Sequence, residues 1–153
     1  MEDWISVLAL IFAVAHVAEE YFCGWVAWAN LYIKGVTITQ FVFWNALFIA
    51  LCIIGIVFQN ELVRLSIVTL LLINVFVHLI PSIFKRQYSP GLISALILYL
   101  PLGIFTYFVV LNTKLISITN IEISGALAAG FMGMPFLYQM IRLRGNFVKR
   151  RVQ

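Results

Sequence analysis

The sequence predicts an all-α protein. A single domain over residues 1–153 forms a polytopic membrane bundle of five transmembrane helices, with the N-terminus outside and the C-terminus cytoplasmic. Three observations carry this expectation. First, 63% of the residues are hydrophobic and 10% charged, with a mean hydropathy of +1.05; a soluble domain has roughly 45–50% apolar and about 25% charged residues. A soluble core of this size has no room for the excess, so lipid has to take it. Second, five apolar runs, at about 4–22, 41–58, 62–84, 91–111 and 121–141, approach or exceed the roughly 20 residues that a helix needs to cross a bilayer. Third, the breaks between runs are short and carry polar or turn-forming residues, and no run shows the sustained alternation of a barrel strand.

Each element follows from its own residues. The first span comes after Glu2 and Asp3 with no basic residue before it, unlike a cleaved leader, which starts with positive charge. Between it and the second span, Trp25, Trp28 and Tyr32 suit a headgroup-level belt, with a short helix lying in the interface. The break at 59–61 is so short that the second and third spans must form a tight antiparallel hairpin. Pro101 in the fourth span and Pro135 in the fifth are expected to kink their helices and open room near mid-membrane. The fifth span also carries "SGALAAGFMG", in which Ala126 and Gly130 form a small-xxx-small pair with Gly133 beyond. That stripe is expected to pack within the chain, with a homo-oligomer contact as the alternative. Cys52 reads as a small apolar packing residue, and two cysteines in or beside separate spans suggest no disulfide framework.

Basic residues set the orientation. Arg142, Arg144, Lys149, Arg150 and Arg151 follow the fifth span, and Lys34, Lys85 and Arg86 fall on the same side of a five-helix chain. Arg64 and Lys114 alone fall on the other. Eight against two places the tail 142–153 in the cytoplasm, and a multi-pass location in a bacterial plasma membrane is expected. The tail suits contact with anionic lipid rather than nucleic acid.

Residues 15–24, "AHVAEEYFCG", break the apolar pattern. Each helical residue advances about 100°, so Glu19 lies about 60° to one side of His16 and Glu20 about 40° to the other. An ionised carboxylate facing lipid is costly, so this face must turn into the bundle or toward a water-filled cavity. Other spans bring polar groups to the same depth. The third carries Asn74 and His78 at i, i+4, and the second has Asn45 within its first turns. Tyr88, Ser89 and Pro90 open the fourth, with Ser94 one turn deeper, and the fifth brings Tyr138 and Gln139. The opposite halves of the spans hold nothing comparable. Both histidines and both adjacent glutamates thus converge at one level.

The same residues carry a resemblance. H-x-x-E-E-Y at 16–21, followed by Gly24, Trp28 and Asn30, resembles the HXXEE domain family of small membrane proteins. Asn45, the Asn74/His78 pair and "YSPG" at 88–91, with Leu92 and Pro101 beyond, are similar to its later motifs. The resemblance covers the first four spans. It implies a membrane fold and a motif set rather than a particular reaction.

Two imidazoles and a carboxylate are typical ligands of zinc or iron, and an open catalytic zinc site often uses two His and one Glu. His16 and His78, with Glu19 or Glu20, supply that set for a divalent metal, zinc foremost and iron second. The other glutamate is then the base, and Asn45 or Asn74 orients a ligand or polarises a carbonyl. A carboxylate-bridged di-iron site is disfavoured, since it draws on four carboxylates and the spans supply two. The expectation is therefore a metal-dependent membrane enzyme acting on a lipid or other hydrophobic small molecule by hydrolysis or proton transfer. The alternatives are a metal-free acid–base isomerase or cyclase, sheltering its intermediate among aromatics, and a proton- or cation-coupled transporter. The sequence shows no phosphate-binding glycine loop or nucleotide fingerprint, and with one aspartate, Asp3, schemes needing a membrane aspartate are excluded.

Overall fold

A computed structural model describes residues 3–114 and 116–151, with 145–151 as backbone only. Six helices follow in order: α1 (Asp3–Phe22), α2 (Trp25–Ala29), α3 (Ile38–Phe58), α4 (Glu61–Lys85), α5 (Leu92–Thr113) and α6 (Ile118–Arg151). All except the short α2 contain a stretch long and apolar enough to cross a membrane. Among the described residues there is no strand. Glu2, and the side chains of Lys149, Arg150 and Arg151 used above to orient the chain, lie outside what is described.

The boundaries have local causes. At the start of α3, the Thr37 hydroxyl accepts from the Gln40 amide at 3.3 Å, and the Gln40 side chain accepts from the Thr37 amide at 2.9 Å. This reciprocal box satisfies two orphan donors of the first turn. Gln59 turns left-handed (φ 50°) to end α3, and Asn60 caps α4 by accepting from Val63 N at 3.1 Å, which gives the expected tight hairpin. The fifth span is longer than expected. Helix α6 runs on to Arg151, because no proline follows Pro135 and the Arg- and Lys-rich segment favours helix once past the apolar run. In α5 the residues Ala95–Tyr99 widen into a π turn immediately before Pro101. Such a turn absorbs the missing proline N–H and the clash of its ring with the preceding turn.

Helix α4 is the centre of the bundle and packs against each of the other four spans. Residues 64–71 are buried without a break, the mark of a helix covered on all sides. Ile5, Ala9 and Ala13 present a buried apolar stripe of α1 to the core formed by Val68, Leu71 and Val75 of α4 and Tyr99 of α5. The large apolar side chains of the outer surface, such as Ile11, Phe58, Phe108 and Leu137, remain exposed for lipid. Ala126, Gly130 and Gly133 of α6 are exposed, and a Cβ added at either glycine meets nothing within 4 Å. This small-residue stripe therefore faces outward, contrary to the expected packing within the chain.

The end of the bundle away from the histidines is not devoid of polar structure, as the sequence had suggested. Buried Arg64 donates to Asp3 Oδ1 at 2.6 Å and to the Gly55 carbonyl at 3.2 Å, and lies 3.9 Å from Glu61. It ties the starts of α1 and α4 to the end of α3. Deeper in, Thr69 Oγ1 meets Tyr107 OH at 2.6 Å while bonding its own helix at Leu65 O. Hydroxyls that satisfy themselves within a helix leave no mark in a hydropathy pattern.

Close packing of α4 on α5 depends on Gly103, where a Cβ would lie 2.2 Å from Leu72 Cδ2. Overpacking of this kind costs about 1–3 kcal/mol. Gly103→Leu is therefore expected to lower the thermal unfolding midpoint in detergent, as read by intrinsic fluorescence, whereas Gly130→Leu on the open face is expected to leave it in place.

Candidate functional site

The inward face of α1 ends in a buried His16 and Glu20, one helical turn apart. His78, buried near the end of α4, faces them, with its ring centroid 4.9 Å from that of His16 in an edge-on arrangement. The turn that leads from α4 to α5 closes the third side. Arg86 turns left-handed to end α4, and the Ser82 hydroxyl accepts from the Ser89 amide at 3.1 Å. Gly91 then takes φ +98°; a Cβ there would lie 2.8 Å from the Cε1 atoms of both His16 and His78 and 3.0 Å from Glu20 Cγ. Only a glycine fits, for conformation and for space.

Glu20 Oε1 lies 3.3 Å from His78 Nε2 and 3.6 Å from His16 Nε2. The outer nitrogens of both rings are held by serines: His16 Nδ1 lies 2.8 Å from Ser94 Oγ, and His78 Nδ1 lies 3.0 Å from Ser89 Oγ. Ser94 donates its own proton to the Gly91 carbonyl at 3.2 Å. Asn74 Nδ2 lies 3.2 Å from His16 Nε2. The ring of Tyr99 lies against His16, with centroids 4.6 Å apart.

The three inner donor atoms form a group that can hold a metal ion, all within 4.8 Å of one another. A tetrahedral zinc site with ligands at about 2.0–2.1 Å has ligand–ligand edges of about 3.3–3.4 Å, close to the two measured Glu20 contacts. Imidazoles that offer Nε2 inward and have Nδ1 tied by a hydrogen bond are oriented as metal ligands usually are. The donor set therefore suits zinc in its chemistry and in two of its three spacings.

Not every residue expected here joins the group. Glu19, expected as a ligand or a base, is committed elsewhere. Its carboxylate accepts from the amides of Gly91 at 3.2 Å, Ile93 at 3.1 Å and Ser94 at 2.7 Å, and from the Tyr88 hydroxyl. It caps the N-terminus of α5, where free amides and the helix dipole favour negative charge. The physical reason is angular: Glu19 and Glu20 lie about 100° apart around α1, so only one can face His78. Tyr88, in the turn between spans, has its phenol pushed up by burial and then by the Glu19 hydrogen bond, so its hydroxyl stays a donor. Asn45 donates to its own helix at Phe41 O (3.0 Å); it is absent from the polar group but lines an adjoining cavity. Ser89, expected only at the boundary of the fourth span, and Tyr99 both touch the histidines. A serine or tyrosine near a helix end carries no signal of its target until the turn is folded.

That cavity has a volume of about 380 Å³ and lies between α1, α3, α4, α6 and the segment 25–36. Glu20, His78 and Asn74 form part of its wall, and aromatics such as Trp28, Phe41, Trp44 and Phe131 share the rest with aliphatic residues. Pro81 and Pro135 also line it, so the expected room beside Pro135 is present. The segment 30–36 is knotted by Asn30, which donates to Val26 O and Val36 O at 2.8 Å and accepts from the Gly35 and Val36 amides. Gln139 Nε2 fastens it to α6 by donating to Lys34 O at 2.6 Å.

Two substitutions separate anchoring from packing. Gly91→Ala forces a Cβ against both rings at a left-handed φ, and Glu19→Ala leaves the α5 amides without their acceptor. Each is expected to cost about 1–3 kcal/mol. The measurement is the thermal midpoint in detergent, set beside Tyr88→Phe, which removes one of the four donors to Glu19 and is expected to cost less.

Comparison with known proteins gives one match. Residues 7–106 match the model of a family described as "Protein of unknown function with HXXEE motif". No curated protein and no solved structure matches the chain. The matched region runs from α1 into α5 and contains His16, Glu19, Glu20, Asn74, His78, Ser89, Gly91 and Ser94, so the chain that assembles this polar group belongs to the HXXEE family.

Proposed function

We propose that the protein is a membrane-embedded, metal-dependent enzyme that acts on a lipid or other hydrophobic molecule by hydrolysis or proton transfer. The observation that supports this most is the placement of Glu20 Oε1 within 3.3 and 3.6 Å of two inward-facing imidazole nitrogens, beside an apolar cavity. His16, Glu20 and His78 are the ligands, and zinc is the ion they suit best, with iron second. A metal so held supplies Lewis acidity toward an oxygen of the substrate.

The chain's own residues do the rest. Ser94 and Ser89 fix the two imidazoles by their Nδ1 atoms, and Asn74 places an amide donor next to His16 at the cavity wall. Glu20 is the one glutamate that reaches both the imidazoles and the cavity, so any proton it takes comes from a group at that wall. Glu19 positions the site rather than reacting: through the Gly91, Ile93 and Ser94 amides it holds the turn that carries Ser89 and Gly91 and the first turn of α5, which carries Ser94. In this reading the site opens toward the cytoplasmic leaflet of a bacterial plasma membrane, because Lys34, Lys85 and Arg86 lie at the same end of the bundle. The metal-free alternative, an acid–base pair of Glu20 with His78, draws on the same 3.3 Å contact.

Zinc content of the detergent-purified protein after equilibrium dialysis separates the two. About one zinc per chain is expected in the wild type, lost in His16→Ala, Glu20→Ala and His78→Ala and kept in Glu19→Gln. Ser89→Ala, which frees one imidazole, is expected to weaken binding about 10–100-fold. A wild type that takes up no zinc or iron overturns the metal reading and favours the acid–base pair.

A further inference from the structure

The wall of the cavity is specific about charge. Among the described residues that line it, Glu20 is the one carboxylate, and none is lysine or arginine. With no metal bound, a phosphate or free carboxylate drawn inside would lie near Glu20 with no cationic side chain to offset it, which disfavours either anion. The wall's other polar side chains are largely committed. Gln40 Nε2 donates to Gln139 Oε1 at 3.0 Å, Gln139 donates to Lys34 O, and Asn45 donates to Phe41 O. Hydrogen-bonding capacity for a guest is therefore left to Glu20, His78 and Asn74 at one end and to the unpartnered indole N–H groups of Trp25 and Trp28. Elsewhere the wall is aromatic and aliphatic, and the volume of about 380 Å³ falls in the range of small-molecule sites.

We infer that the cavity binds one uncharged, single-chain lipid, an acyl ester or a neutral relative of it, with its chain among Phe41, Trp44, Phe48 and Phe131 and its ester against Glu20, His78 and Asn74. The placement of the ester end rests on the function proposed above; the selection for an uncharged, chain-like guest rests on the wall alone.

The tryptophans provide the readout. Of the four in the chain, Trp25, Trp28 and Trp44 line the cavity, whereas Trp4 packs on Phe105 in α5. In a Trp4→Phe background every remaining indole borders the site. Titration with the methyl ester of dibrominated stearic acid, whose bromines quench indole fluorescence on contact, is expected to give saturable quenching. Unbrominated ester should compete it away. In protein stripped of metal by a chelator, the free acid under alkaline conditions, and dibrominated phosphatidylglycerol, are expected to bind at least about tenfold more weakly. Ala29→Phe and Val77→Phe, two independent ways of filling the cavity, are expected to reduce the saturable quenching at least about fivefold.

Quenching that does not saturate, or that both folded filling variants leave unchanged, overturns the proposal, since the bromines then act from the surrounding micelle. Equal or tighter binding of the acid or the phospholipid overturns the selection for an uncharged guest. Zinc dialysis on the same samples keeps the two readings apart. Ester binding without zinc uptake removes the metal and leaves the lipid site, whereas zinc uptake without ester binding does the reverse.

Discussion

A carboxylate carried into the interior of an apolar bundle has to be met there by partners, and the meeting of Glu20 with two imidazoles organises one whole end of this protein. Glu20 is almost fully buried, as are both histidines. The cost of desolvating such a group is offset only by close, well-oriented polar contacts. Those contacts come from His16 on α1 and His78 on α4, whose rings are held in turn by Ser89 in the turn into α5 and Ser94 at the start of α5. Satisfying Glu20 therefore fixes how those elements sit against one another, in a setting where lipid supplies no hydrophobic force to press helices together.

The turn between α4 and α5 shows how far that requirement reaches. It brings Ser89 to His78 and Ser94 to His16, and passes Gly91 between the two rings where no side chain fits. Holding it needs an anchor, and Glu19 is that anchor: it gathers the three amides at the start of α5 and the Tyr88 hydroxyl. The pair of adjacent glutamates is thus a division of labour dictated by helix geometry. One residue faces the imidazoles, and its neighbour, turned about 100° away, clamps the segment that positions them.

The same end of the bundle combines this polar group with an apolar chamber. Proline in α4 and α6 and the bulky aromatics of α3 keep the helices from closing over it, while Asn30 and Gln139 hold the 30–36 segment as one wall. At the other end Arg64 links α1, α3 and α4 through Asp3 and the Gly55 carbonyl. A clamp there and a chamber here give a bundle that is tied at one end and hollow at the other.

Much of this was legible in the sequence, because the underlying physics is local. Run length and hydropathy determine five membrane-capable helices, since a bilayer demands a minimum of continuous apolar chain whatever its neighbours are. The i, i+3 and i+4 spacings show that His16, Glu19 and Glu20 share one broad face, and that His78 comes to the same depth in a parallel helix. Other features depend on contacts between distant segments and leave no local trace. Which glutamate meets the histidines is decided by the packing angle of α1 against α4, and the partnership of Ser89 and Ser94 with the imidazoles by the path of a six-residue turn. The outward face of Ala126 and Gly130 follows from which side of α6 meets α4, and the burial of Arg64 from the nearness of Asp3. Composition and periodicity determine what a helix is and which of its faces is polar; only tertiary packing, which sets the rotation of each helix against the next, decides what that face touches.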